Sequence, residues 1–98
     1  MQYIISTKAT EDLEQIWRYT YLRWSEQQAD RYYNLIIKKI DFIAQHPTVG
    51  RTMDDIKEGY RHYSVESHII FYRISEDNKV IIIRILHQQM DIPNRLKD

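Results

Sequence analysis

Three arginines stand inside strand-like, largely apolar runs of this chain: Arg61, Arg73 and Arg84. Burying a guanidinium among apolar groups is costly, so each needs a structural partner or a functional reason. Together they could form a cationic patch for phosphate or for the carboxylates of a partner, because a guanidinium grips either through two parallel N–H donors. The structural alternative is that each reaches an edge of its sheet or pairs with Asp or Glu, its stem lying along apolar surface. His87 closes the last apolar run and could serve as a general acid or base. No partner for it is evident nearby, so a hydrogen-bonded histidine at a strand end is the plainer reading. Tyr21 and Tyr32 fall at the edges of helical apolar stripes, where tyrosine suits an interface.

Other chemistries find little support. His62 and His68 share one hairpin but stand three residues out of register, about 10 Å apart at strand rise, too far for one metal ion. Gly50 and Gly59 are too widely spaced for a phosphate-binding loop and lack the following lysine; they are expected to supply positive φ at turns. Asp54 and Asp55 read as a solvated loop. The chain has no cysteine, hence no disulfide and no thiolate nucleophile. No cofactor or metal site is expected.

These side chains need elements to hold them. The chain has 98 residues and a formal net charge of zero. That length indicates one domain, residues 1–98, and the charge balance excludes a wholesale electrostatic binder of nucleic acid. A local basic surface stays open. No run is long enough to cross a membrane, and the N-terminal residues do not read as a signal peptide, so a soluble, cytoplasmic protein is expected.

Tyr3–Ile5 reads as a first strand, after which Ser6 or Thr7 can cap a helix. Glu11, Asp12 and Glu14 would favour its dipole, and Leu13, Ile16, Trp17, Tyr21 and Trp24 form its stripe, with Thr20 the polar member. Ser25-Glu26-Gln27-Gln28 is a capping box that starts a second helix; Ala29, Tyr33, Ile36, Ile37, Ile40, Ile43 and Ala44 face inward, and Pro47 ends it. The two should form an antiparallel hairpin, with Trp17 and Tyr33 in the core, Tyr21 and Tyr32 half-buried and Tyr19 exposed. Residues 46–59 read as a loop.

Three strand-like runs follow, roughly 60–65, 68–75 and 79–87, with turns at Glu66-Ser67 and Asp77-Asn78. The expected order is β-α-α-β-β-β: an α+β fold whose helix hairpin covers one face of a mainly antiparallel sheet. Val80–Ile83 is continuously apolar and is placed centrally, while the far face stays partly open to partners. A two-residue turn at Asp77-Asn78 would set Arg73 opposite Ile82. Arg73 and Arg84 would then share a face with Phe71 and Leu86, and His87 would lie on the other. A three-residue turn would separate the arginines. The polar tail 88–98, with Pro93, Arg95 and Lys97, is expected to add little to the core, unless Ile92 or Leu96 docks there.

Several fragments carry a resemblance that spans nearly the whole chain. They are Ala9-x-x-Asp12-Leu13-x-x-Ile16-Trp17, Trp24-Ser25-x-x-Gln28-Ala29-x-x-Tyr32, Ile43-Ala44-x-x-Pro47-x-x-Gly50-Arg51, Gly59-Tyr60-Arg61, Ser67-His68-x-Ile70-Phe71-Tyr72-Arg73 and Arg84-Ile85-Leu86-His87-x-x-Met90-Asp91. In this order they resemble the ParE branch of the RelE/ParE toxin superfamily. The resemblance implies the toxin of a type II toxin–antitoxin module, of the kind linked to plasmid stabilization. It implies DNA gyrase as target, a ParD-type antitoxin as partner and no catalysis. Tyr21, Tyr32, Arg61, Arg73, Arg84 and His87 are the candidates for antitoxin or target contact. The sister branch, similar to RelE and YoeB, cleaves mRNA on the ribosome. Where it carries an arginine early in the strand this chain has Ile69, and where a YoeB-like His-Tyr pair would stand it has His87-Gln88. A ribonuclease using Arg61, Arg73, Arg84 and His87 is thus the alternative, and an inactive, antitoxin-binding member is a third reading.

Overall fold

The computed structural model describes residues 2–97; Met1, and Asp98 at the end of the expected tail, lie outside the described residues. The chain runs β1 (Tyr3–Ile5), α1 (Thr7–Arg23), α2 (Glu26–Gln45), β2 (Arg51–Thr52), β3 (Tyr60–Val65), β4 (His68–Ile74), β5 (Val80–His87) and a short α3 (Ile92–Arg95). The expected α+β order is present, with β2 and α3 in addition. Neither short element shows in a periodicity that needs two turns or several alternations to register.

Side-chain caps set the helix starts. Ser6 accepts from the amide of Ala9 at 3.0 Å and Ser25 from that of Gln28 at 3.0 Å. The capping box is only half as expected, because the Gln28 side-chain oxygen Oε1 takes a bond from Arg31 at 2.7 Å instead of reaching back. The first turn of α1 carries no acid, contrary to the dipole expectation. Asp12 instead points into the structure. Ala9, Leu13, Ile16 and Thr20 are the buried ridge of α1, and Ala29, Ile36, Ile40, Ile43 and Ala44 that of α2. Trp17 and Tyr33, expected in the core, are half-buried and 36% exposed, and Trp24 is 74% exposed. Positions 17, 21 and 24 form a neighbouring ridge turned about 100° from 9-13-16-20, so the helix interface covers little of it.

The five strands lie in the order β1-β5-β4-β3-β2, with β1 parallel to β5 and the other pairs antiparallel. β5 is internal as expected of its apolar run, although β4 is the middle strand. Helices cover one face, where Ile36, Ile40, Ile43, Ile70, Tyr72, Val80, Ile82 and Ile85 form the main core. On the other face Met53, Phe71, Leu86 and Leu96 make a smaller core flanked by Tyr60, Ile69 and Ile92. The tail therefore docks: Leu96 is 2% exposed, and the expectation that residues 88–98 add little to the core is corrected.

The β3–β4 turn is Glu66-Ser67 as expected, Val65 pairing with His68. Between β4 and β5 the turn is one residue longer than expected. Ser75 donates its amide to Lys79, Asn78 donates to Ser75, and Asn78 takes the left-handed φ of 62°. Arg73 accordingly faces Ile81, not Ile82. That slip would part the two arginines, yet the pairing steps from Tyr72↔Ile82 to Phe71↔Arg84, leaving Ile83 as a bulge. The bulge cancels the slip. Arg73 and Arg84 do share the face of Phe71 and Leu86, and His87 lies on the helix face opposite His68, through a route the sequence reading did not contain.

Candidate functional site

β1 is too short to cover all of β5. It reaches Ile82, and beyond it the edge of β5 is met by side chains from the start of α1. Ser6 donates its amide to Ile82 at 3.0 Å and its hydroxyl to Ile83 at 2.8 Å. Asp12, one turn and a half further on, accepts the amide of Ile85 at 2.9 Å. The same carboxylate takes both prongs of Arg84, Nε at 2.9 Å and Nη2 at 3.0 Å, with side-chain exposures of 16% for Arg84 and 10% for Asp12. Arg84 Nη1 also donates to the Arg95 carbonyl at 3.2 Å, tying the tail to the edge. The structural alternative thus holds for Arg84: a charge buried in the sheet is matched by a carboxylate that accepts three hydrogen bonds.

Asp12 also lines a cleft of about 560 Å³ between α1 and the end of β5, with Ile16, Tyr19, Thr20, His68, His87 and Met90 among its walls. His68 and His87 pair across the strands, their rings edge to face at 5.3 Å. The Tyr32 hydroxyl lies 2.7 Å from His68 Nδ1, against 3.4 Å from the Val65 carbonyl. The shorter contact is the principal one, and which of the two groups donates in it follows the His68 tautomer. His87 Nδ1 accepts the Gln89 amide at 3.1 Å. Burial, then the neighbouring His87, holds His68 down to a pKa of about 4, against a smaller upward pull from Asp12. Burial raises that of Tyr32. The cleft therefore presents two facing imidazoles, the inner one neutral at pH 7, on a mainly apolar wall.

The remaining candidates are dispersed. Arg61 lies on the helix face opposite Tyr72 and donates to the Gly50 carbonyl at 2.8 Å. Tyr72 sits beside it, donating to the Pro47 carbonyl at 2.7 Å and accepting the Gly50 amide at 2.8 Å. Gly50 is needed for this approach and not for positive φ, since a Cβ there would come within 2.5 Å of the Tyr72 hydroxyl; Gly59, at φ 81°, is the glycine that matches its expectation. Arg73 is exposed on the other face, in a cross-strand row Ile4–Ile81–Arg73–Tyr60 in which Ile4 is also exposed, Ile81 is half-buried and Tyr60 packs against the smaller core. Tyr21 is 46% exposed and stacks on Trp17. Of the six candidates only Tyr32, His87 and, through Asp12, Arg84 come together. Arg61 stands opposite Tyr72, four residues and about 13 Å along β4 from His68.

Asp12 and His68 are not among the six site candidates expected from the sequence. Both carried a signal. Asp12, Ile16 and Thr20 recur every four residues, which places the carboxylate beside the buried ridge. His68, Ile70 and Tyr72 alternate on one strand face, so His68 shares the core side. His62, weighed with it as a metal pair, lies on the opposite face with Phe71.

The family profile described as "ParE toxin of type II toxin-antitoxin system, parDE" matches residues 3–92. Toxin ParE1 of Mycobacterium tuberculosis is 40% identical over 95 residues, 97% of each chain. Toxin ParE1 of Caulobacter vibrioides is 39% identical over 89 residues, 91% of each chain. A solved structure titled "Chromosomal ParDE TA system from P. aeruginosa" superimposes with a TM-score of 0.78 over 89% of this chain and 95% of that one, at 19% identity, a likeness of fold.

Proposed function

Since the chain belongs to the ParE toxin family of type II toxin–antitoxin systems, we propose that it acts by binding DNA gyrase and is held inactive by a ParD-type antitoxin. The observation that carries this reading is the dispersal of the cations. Ribonuclease chemistry needs a proton-transfer group and charge for the phosphate at one place. Here Arg84 is committed to Asp12, Arg61 to loop carbonyls and Arg73 to the opposite face from His87. Ile69, where the resemblance puts the ribonuclease arginine, packs beside the smaller core.

The open row Ile4–Ile81–Arg73–Tyr60 supports an antitoxin role for that face. It offers apolar area around Arg73, with Lys57 over the Tyr60 ring at its end, which fits an extended amphipathic segment bearing a carboxylate. Arg73 is the clean probe, because reversing Arg84 would break a buried pair. Arg73→Glu is expected to weaken the antitoxin complex tenfold or more with folding intact, and unchanged affinity would remove this row from the interface. The function itself is tested by two assays run together. The protein should leave mRNA intact on translating ribosomes and raise gyrase-dependent DNA breaks; codon-linked mRNA cuts abolished by His87→Ala would overturn the proposal.

A further inference from the structure

The sheet has two edges, and they differ in kind. β2 closes one of them with Arg51 and Thr52, both exposed and one of them charged. A short, charged edge resists pairing with another chain. β1 closes the other with Tyr3-Ile4-Ile5, which carries no charge and no proline and pairs with β5 without a bulge. The peptide groups of β1 alternate in direction. Val80 donates its amide to the Gln2 carbonyl at 3.1 Å, and Ser6 donates its amide to the Ile82 carbonyl at 3.0 Å. In the parallel register Tyr3↔Val80 and Ile5↔Ile82, positions 2, 4 and 6 therefore bond to β5. Tyr3 and Ile5 point their amides and carbonyls away from the sheet. Among the described residues no hydrogen bond reaches those four groups.

The side chains of β1 split between the two faces. Tyr3 and Ile5 are half-buried against the main core under the helices, which holds the strand in place before any partner arrives. Ile4 is 49% exposed on the far face, beside Ile81. The free backbone groups thus lie symmetrically about one exposed isoleucine, and a second copy of the chain matches that symmetry. A two-fold axis through Ile4 sets Tyr3 opposite Ile5 of the second copy, and Ile5 opposite its Tyr3. All four outward groups of each copy then bond in two hydrogen-bonded pairs. Ile4 meets Ile4 of the second copy in the non-hydrogen-bonded pair between them, where Cα atoms approach to about 4.5 Å and side chains touch. One operation satisfies backbone and side chain together and closes both edges, as an isologous contact requires. With a net charge of zero, the copies carry no general repulsion.

We propose that the β1 edge is a self-association surface, at which two copies of the chain pair β1 to β1 antiparallel about Ile4 and join their five-stranded sheets into one. The proposal stands apart from the gyrase and antitoxin readings, and its test contains neither partner. Pairing would carry the row Tyr60–Arg73–Ile81–Ile4 unbroken from one copy into the other. Three residues a side bury less than a standard interface, so the dimer is weak and depends on concentration.

The experiment is sedimentation velocity of the full chain across a concentration series from about 5 to 500 μM. The sedimentation coefficient is expected to rise from monomer toward dimer with a Kd of about 10–300 μM. Ile4→Lys puts like charges at the axis and should raise that Kd about tenfold or more, and Ile4→Glu should do the same. An equimolar mixture of these two variants should recover the dimer, because the axis brings position 4 of one copy against position 4 of the other. The chain has no cysteine, so Ile4→Cys gives a second reading. Mild oxidation should link it into a dimer far faster than Tyr19→Cys, a control at a 60% exposed position on α1. Ile4 is exposed, so circular dichroism should show an unchanged fold in its variants. Four results would overturn the proposal: a monomer at every concentration, whether or not a foreign strand takes the edge; a dimer that Ile4→Lys leaves intact; a mixture no more dimeric than its parts; or position 19 linking as fast as position 4.

Discussion

Removing the Asp12 carboxylate should be among the most damaging single changes available in this chain. Asp12→Ala removes two partners at once: the carboxylate that neutralises the Arg84 guanidinium, 16% exposed, and the acceptor of the Ile85 amide, Asp12 Oδ2. Breaking a buried ion pair by deleting one partner costs about 3–5 kcal/mol, because the remaining charge stays desolvated. For a domain of this size that lowers the melting midpoint by about 15–30 °C and consumes much of the net stability. Asp12→Asn keeps the shape and one acceptor but turns an amide NH2 donor toward the guanidinium or the Ile85 amide, so about 2–3 kcal/mol is expected. Arg84→Met removes the charge in turn. The double variant Asp12→Ala/Arg84→Met should then recover at least about 1.5 kcal/mol relative to the sum of the singles, leaving the orphaned amide as the main residual cost. Urea denaturation followed by tryptophan fluorescence and circular dichroism measures all four corners of the cycle. Lys79→Met, which breaks the solvent-exposed pair with Asp77 at 3.6 Å, is the control and should leave the midpoint in place. A loss below about 1 kcal/mol for Asp12→Ala, or additivity across the cycle, would refute the reasoning.

Other consequences follow from the same contacts. His68 is held neutral, so the unfolded chain takes up a proton that the folded one resists; stability should be complete above pH 6.5 and decline as pH falls toward about 4. The full shift corresponds to about 3 kcal/mol, and because the ring is partly solvated about 1–2 kcal/mol is expected, visible in melts from pH 7 to 4 and flattened by His68→Gln. Gly50→Ala should cost about 1–3 kcal/mol by forcing Tyr72 out of its bonds to residues 47 and 50, whereas the same change at an uncrowded site would not. Leu96→Ala should cost about 2–4 kcal/mol in chemical denaturation by opening the smaller core, and deleting 92–98 more; a truncated chain with an unchanged transition would contradict the docked tail.

Much of this structure is readable from residue types alone, and its misreadings have particular causes. Helix starts were legible because a hydroxyl three residues before an amide is a local signal, satisfied at Ser6 and Ser25 whatever the rest of the chain does. The Glu66-Ser67 turn was legible because two polar residues separate two strand-like runs. The β4–β5 register was not. Asn78 in the left-handed region lengthens the turn, and Ile83 absorbs the slip, and nothing in a continuous isoleucine run marks which member will bulge. The depth of Trp17 and Tyr33 was overestimated because the apolar stripe on each helix is wider than the strip its neighbours cover. The tail was misjudged because four residues of short helix carry no periodicity, and only the sheet's second face shows where Leu96 goes. At the candidate site the individual side chains were visible, but which ones meet was decided by long-range pairing: His87 with His68, Arg84 with Asp12. Such contacts are set by topology, not by neighbouring sequence.

The central claim, a toxin that acts by holding gyrase and not by cutting RNA, is tested most directly by mixing the purified chain with gyrase, ATP and supercoiled plasmid. After detergent and protease, the fraction of linear DNA is measured on a gel. The account predicts linear product that rises with the concentration of the chain, requires gyrase, and persists with His87→Ala. Plasmid left uncut at all concentrations, by protein that is folded and lethal when expressed, would contradict it.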